Sequence, residues 1–241
     1  KQIERLTSMN YTTAQSPRRE KNTLRLELRR RLGLPRYTLG EEGFSAVSHG
    51  VSALFAAGAL VFLLVTCRRE PLQMVCAGVF GGTMVLLYTV STLYHGMGLN
   101  RAKVVFRSLD HCTIFLLIAG TYTPITLVCL GGWKGWALFG VVWAAAVLGV
   151  VLNGVSVERF RKFSMGCYLA MGWVVVLAMG DFLQAATAFS FWCLLGGGIL
   201  YTAGAALYGV GKKVPYIHGV FHLFVLGGSV LHTCSVWQIL Q

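Results

Sequence analysis

The chain has 241 residues, 55% hydrophobic and only 12% charged, with a mean hydropathy of +0.63. Soluble globular domains carry roughly a quarter charged residues, so the composition excludes that class and indicates a membrane protein. The net charge of +12 would suit a nucleic-acid partner in a soluble protein; in a membrane protein its distribution matters more, and no nucleic-acid partner is expected.

Residues 1–43 form a polar, basic tail holding ten of the 21 Lys and Arg. It contains no apolar signal core, so no cleavable signal peptide is expected. Within it, LRLELRRRL places Leu24, Leu28 and Leu32 on one face of a short helix, which Pro35 is expected to terminate. A polybasic segment directly before a first membrane span is expected to touch anionic lipid of the inner leaflet.

Seven apolar blocks follow: Phe44 to Thr66, Gln73 to His95, Val104 to Leu130, Gly135 to Asn153, Ser164 to Gly180, Phe189 to Val210 and Val214 to Ile239. Each approaches the roughly 20 residues a helix needs to cross a bilayer, where every backbone polar group must be paired internally. The expectation is an all-α, seven-helix transmembrane bundle over residues 44–241, with residues 1–43 as a separate cytoplasmic tail. Glycines inside the spans (Gly81-Gly82, Gly196 to Gly198, Gly227-Gly228) read as helix-packing positions. Pro124, in TYTPI, is expected to bend the third span. The seven cysteines are scattered without a CxxC pair and read as apolar packing residues.

The N-terminal side of the spans carries 18 Lys and Arg and the opposite side three. By the positive-inside rule the N-terminus is cytoplasmic and the C-terminus outside. Orientation fixes depth. His95 closes the second span at the inner face, Asp110 lies about 9 Å into the third, and His218 and His222 lie about 6 and 12 Å into the seventh. All four fall in one layer.

Ionisable side chains in lipid are costly and are usually paired or functional. His218 and His222, at i and i+4, share one helix face, and His95 supplies a third imidazole. Three neutral nitrogens suit zinc and leave a fourth tetrahedral position for water, the pattern of catalytic zinc. Asp110 is either a further ligand or the acceptor for that water, and Ser91, one turn before His95, can hold an imidazole or the water. His232 is fourteen residues beyond His218, about 21 Å along the axis, too far to share the ion. His49 lies at a depth that permits a water contact or a reserve ligand, and His111 points away from Asp110.

STLYH at the end of the second span, RSLDHCTIFLLIAGTYTPI in the third and HGVFHLFVLGGSVLH in the seventh together resemble the hemolysin III family, the bacterial branch of the progestin and adiponectin receptor (PAQR) family. The resemblance covers about residues 41 to 240. It implies a seven-helix bundle with a cytoplasmic N-terminus and zinc near that face, held by His95, His218 and His222, with Asp110 on the water and Ser91 nearby. The first span departs from the family pattern, with Ser45 and Ser48 where Asn and Thr are usual. The family is also similar to a wider group of membrane ceramidases.

Three readings of function follow. The first is a zinc-dependent intramembrane hydrolase acting on a lipid amide, with Asp110 as general base and acid. The second is a membrane receptor or regulator in which zinc is structural. The third is a pore-forming cytolysin, which needs polar residues at several depths of a conducting path; the spans offer few. The expected partners are membrane lipids and a lipid substrate or ligand.

Overall fold

The computed structural model describes residues 17–210 and 214–241. The tail residues before Pro17, and Lys212 and Lys213 among the charges that assign the orientation, lie outside the described residues. Among the described residues there is no strand. A short helix α1 (Pro17–Arg31) precedes α2 (Leu39–Thr66), α3 (Pro71–Gly96), α4 (Arg101–Pro124) and α5 (Gly132–Trp173). They are followed by α6 (Met179–Ala185), α7 (Ala188–Val210) and α8 (Ile217–Ile239).

Among the described residues, six continuous helical segments are long and apolar enough to span a bilayer, and the 54-residue one, Gly132–Ala185, is more than twice what a single pass needs. Ser156, at φ −167° and ψ 108°, interrupts the helical backbone of α5 and lets the chain fold back. Two contacts show the reversal. The Ser164 hydroxyl donates to Asn153 Oδ1 at 2.8 Å beside the break. Lys134 Nζ meets Asp181 Oδ1 at 2.9 Å at the far end. The fourth and fifth passes are therefore an antiparallel hairpin, and the molecule is an all-α bundle of seven passes. The fifth pass is composite: the second arm of α5 gives way to a 3₁₀ turn, Val174–Ala178, and then to α6.

Pro124 acts as a change of helix type. It cannot donate to the α-helical ladder, and the chain continues as a π-helical turn, Ile125–Leu130. Gly131 closes that turn by donating to Thr126 O at 3.0 Å and, with Gly132, takes the positive φ that starts α5.

Two apolar cores hold the bundle. One gathers Leu63, Phe80, Met84 and Val236 from α2, α3 and α8. The other gathers Phe115, Ile125, Val142 and Phe182 from α4, its π turn, α5 and α6. Small residues permit the closest approaches: at Gly81 a Cβ would collide with Leu60, and at Gly197 with the His232 ring.

α1 turns its leucine stripe outward and a cation inward. Leu24 is 68% exposed and Leu28 39%, whereas Arg29 is fully buried. An apolar stripe beside a membrane need not mark a core, since lipid also accepts it. The helix ends at Arg31, before Pro35 is reached. Gly33, at φ 65°, donates to Arg30 O at 3.2 Å and Leu34 to Arg29 O at 2.9 Å, a glycine-closed C-terminus. The segment beyond it, residues 33–37, lines the main cavity of the bundle.

Candidate metal centre

The end of α3 is fixed by a buried cation. Lys103 Nζ donates to Tyr94 O at 2.7 Å, Met97 O at 2.9 Å and Glu42 Oε2 at 2.6 Å. Terminal carbonyls of a helix lack intrahelical donors, and a cation there also meets the negative end of the helix dipole. Glu42, from the first turn of α2, also pairs with Arg29 of α1 at 3.0 Å. One carboxylate thus joins the tail, α2 and the turn of α3 that carries His95.

His95, His218 and His222 come together at this end. One ring nitrogen from each lies within 4.8 Å of the others. The ring centroids of His218 and His222 are 4.6 Å apart, and His95 is 5.3 Å from each. His95 is only 2% exposed, and neither of its ring nitrogens has a hydrogen-bond partner. A buried imidazole in that state is costly unless something else occupies a lone pair.

His222 is oriented from α2. Ser48 donates its proton to Ser45 O at 3.0 Å, leaving a lone pair that faces His222 Nδ1 at 3.3 Å. That arrangement suits an Nδ1–H donor, which leaves the lone pair on Nε2, the pattern by which metal-binding histidines are set. The buried nitrogens of His95, the oriented His222 and the all-imidazole donor set fit a divalent metal.

Asp110 is outside that group of three but lines the same cavity, and the Ser91 hydroxyl interacts with its carboxylate. Arg107, one turn before the aspartate, pairs with Glu158 and donates to Gly33 O at 2.8 Å. His49 packs its ring 3.8 Å from that of His222 and leaves Nδ1 unpaired. His111 has Tyr168 donating to its carbonyl at 2.8 Å and faces the Tyr208 ring. His232 lies outside the three-histidine group, with Nε2 3.2 Å from Leu194 O and its ring edge-on to Tyr201.

The cavity encloses about 640 Å³, within the usual range of small-molecule sites. It runs from His218, His222 and Asp110 past Ile118 and Trp173 to His232, with mostly apolar walls. Polar chemistry is concentrated at the arginine-rich end.

Sequence reasoning assigned no role to Ser48, Lys103, Glu42 or Tyr37. Only Glu41 carried a local signal: Thr38-x-x-Glu41 is a capping box, with Thr38 accepting from Glu41 N at 3.2 Å and Glu41 accepting from Thr38 N at 2.8 Å. Glu41 also accepts from the Tyr216 N–H at 3.2 Å, tying the start of α8 to the start of α2.

A family model described as "Haemolysin-III related" matches residues 37–233. The chain is 38% identical over 203 residues to Hemolysin-3 of Bacillus cereus, an alignment covering 83% of this chain and 92% of that protein. It is 38% identical over 195 residues to the Hemolysin-3 homolog of Bacillus subtilis, covering 80% and 91%. A more distant similarity, 25% over 181 residues, links it to the human monocyte to macrophage differentiation factor, with 70% of this chain and 71% of that protein aligned.

Proposed function

The chain belongs to the haemolysin-III related family and is a multi-pass membrane protein, and from that premise we propose that it is a zinc-dependent intramembrane hydrolase of a lipid amide. The observation that carries this reading is the trio of imidazole nitrogens within 4.8 Å of one another, of which His218 and His222 line, together with Asp110, the polar end of an apolar cavity.

His95, His218 and His222 would hold the ion. Zinc bound there supplies Lewis-acid polarisation of a carbonyl oxygen and makes a water more acidic. Ser48 keeps the Nε2 lone pair of His222 available by accepting at Nδ1. Lys103 holds His95 in register through the carbonyls at the end of α3.

Asp110 takes a proton from the attacking water and returns it to the leaving nitrogen as the carbon–nitrogen bond breaks. The products are a carboxylic acid and an amine, and the protons balance. Ser91 lines the cavity beside Asp110 and would orient its carboxylate by donating to it. The apolar walls favour an acyl chain, whose burial contributes roughly 0.8 kcal/mol per methylene. They also limit water to the polar end, where the proton transfer occurs.

The test is hydrolysis of a series of N-acyl lipid amides by purified protein, with metal content measured on the same sample. Cleavage that disappears with the metal and returns with zinc supports the hydrolase. Full zinc occupancy without cleavage of any amide would favour a receptor or regulator with a structural ion.

A further inference from the structure

His218 is the ligand candidate with the weakest local support. It is the second residue of α8, in a turn whose N-terminal N–H groups have no intrahelical partner. The preceding residue but one, Tyr216, caps the helix in the left-handed conformation, at φ 62°, and offers no side-chain cap bond. Ile217 N reaches Val214 O only at 3.5 Å. His222 has Ser48, and the turn bearing His95 has Lys103. Among the described residues, no hydrogen bond to the His218 ring is found.

What the ring has is Tyr37. Their centroids are 5.0 Å apart and their planes differ by 16°, a parallel stack. Tyr208 and Phe221 are both 5.7 Å away and more tilted, at 55° and 31°. Tyr37 comes from the segment before the first pass, and that segment is anchored at several points. Arg29 Nη1 donates to Pro35 O at 2.6 Å while its guanidinium pairs with Glu42, and Arg107 Nη1 donates to Gly33 O at 2.8 Å. Leu34 is buried, and the Thr38–Glu41 capping box fixes the backbone immediately after Tyr37. A stacking partner held this firmly restricts the ring it touches.

We infer that Tyr37 is a positioning residue: its ring fixes the His218 imidazole in its coordinating orientation, so the segment preceding the first membrane pass completes the site. This role depends on the metal reading above, because what Tyr37 positions is a ligand of that ion. The stack needs the aromatic ring and not the hydroxyl, so phenylalanine should serve and alanine should not.

The full chain in detergent is compared as wild type, Tyr37→Phe and Tyr37→Ala, with cobalt(II) and zinc as probes and diethylpyrocarbonate acylation of His218 measured on metal-free protein. Tyr37→Ala should bind zinc about tenfold more weakly, the usual effect of losing a group that orients a ligand. It should also change the visible cobalt spectrum and acylate faster at His218, whereas Tyr37→Phe should match wild type in all three. Wild-type behaviour from Tyr37→Ala would overturn the inference, and so would Tyr37→Phe behaving as Tyr37→Ala. If wild type binds neither metal, the metal reading fails separately. Acylation then decides whether Tyr37 holds the His218 ring: faster in Tyr37→Ala supports that contact, and equal rates overturn it.

Discussion

The hydroxyl of Ser48 stands 3.3 Å from Nδ1 of His222 and gives its own proton to Ser45 O, so a residue of the first pass governs which nitrogen of a seventh-pass histidine is free. Ser48→Ala should therefore weaken zinc binding by about 10- to 100-fold while leaving the fold intact. Ser48→Thr, which keeps the hydroxyl, should bind close to wild type. Competition with a chelator of known affinity measures both. Equal zinc affinity in the alanine variant would show that the contact does not orient the imidazole.

Lys103 donates to Tyr94 O, Met97 O and Glu42 from a site with no solvent exposure. Replacing it with Met leaves carbonyls uncapped and Glu42 with Arg29 alone. The cost should be about 3 to 5 kcal/mol, as when one partner of a buried pair is removed. Thermal unfolding in detergent should show a large drop in midpoint for Lys103→Met. Lys134→Met should barely move it, because its 2.9 Å pair with Asp181 is exposed. Equal shifts in the two variants would contradict the ranking.

The hairpin at Ser156 makes seven passes from the six continuous helical segments among the described residues, which puts the segment before the first pass and the segment after the last on opposite sides. With the basic side in the cytoplasm, a reporter fused after Gln241 should be active only outside. Cytoplasmic activity there would mean that Gly132–Ala185 does not cross twice or that the bundle is inverted.

Asp110 and His232 line the same cavity, yet only Asp110 is assigned chemistry. Asp110→Asn preserves shape but cannot accept a proton, so hydrolysis should fall by about 100-fold or more while zinc content holds. His232→Ala should leave zinc content unchanged. A fully active Asp110→Asn enzyme would remove the aspartate from the mechanism.

The spans were legible because bilayer thickness sets helix length, and the spacing of His218 and His222 was legible because a helix turn sets side-chain direction. The reversal at Ser156 was legible only as a dip in hydropathy around Glu158 to Lys162. Ser48, Lys103 and Tyr37 were not legible, because their roles depend on which faces of distant segments meet. The leucine stripe of α1 was legible as one face of a helix, but what that face meets was not. Periodicity shows which residues avoid water, and next to a bilayer that does not distinguish lipid from core. Its buried contact is instead Arg29 with Glu42, a cation and a carboxylate that composition would place in water.

The most direct test of the account is zinc per polypeptide in purified wild type and in His95→Ala, His218→Ala and His222→Ala, measured by elemental analysis after gel filtration without added metal. The account predicts close to one zinc in wild type and loss of most of it from each variant, with reduced thermal stability, because each removes one of three ligands. Undiminished zinc in the three variants, or none in wild type purified without chelator, would contradict it.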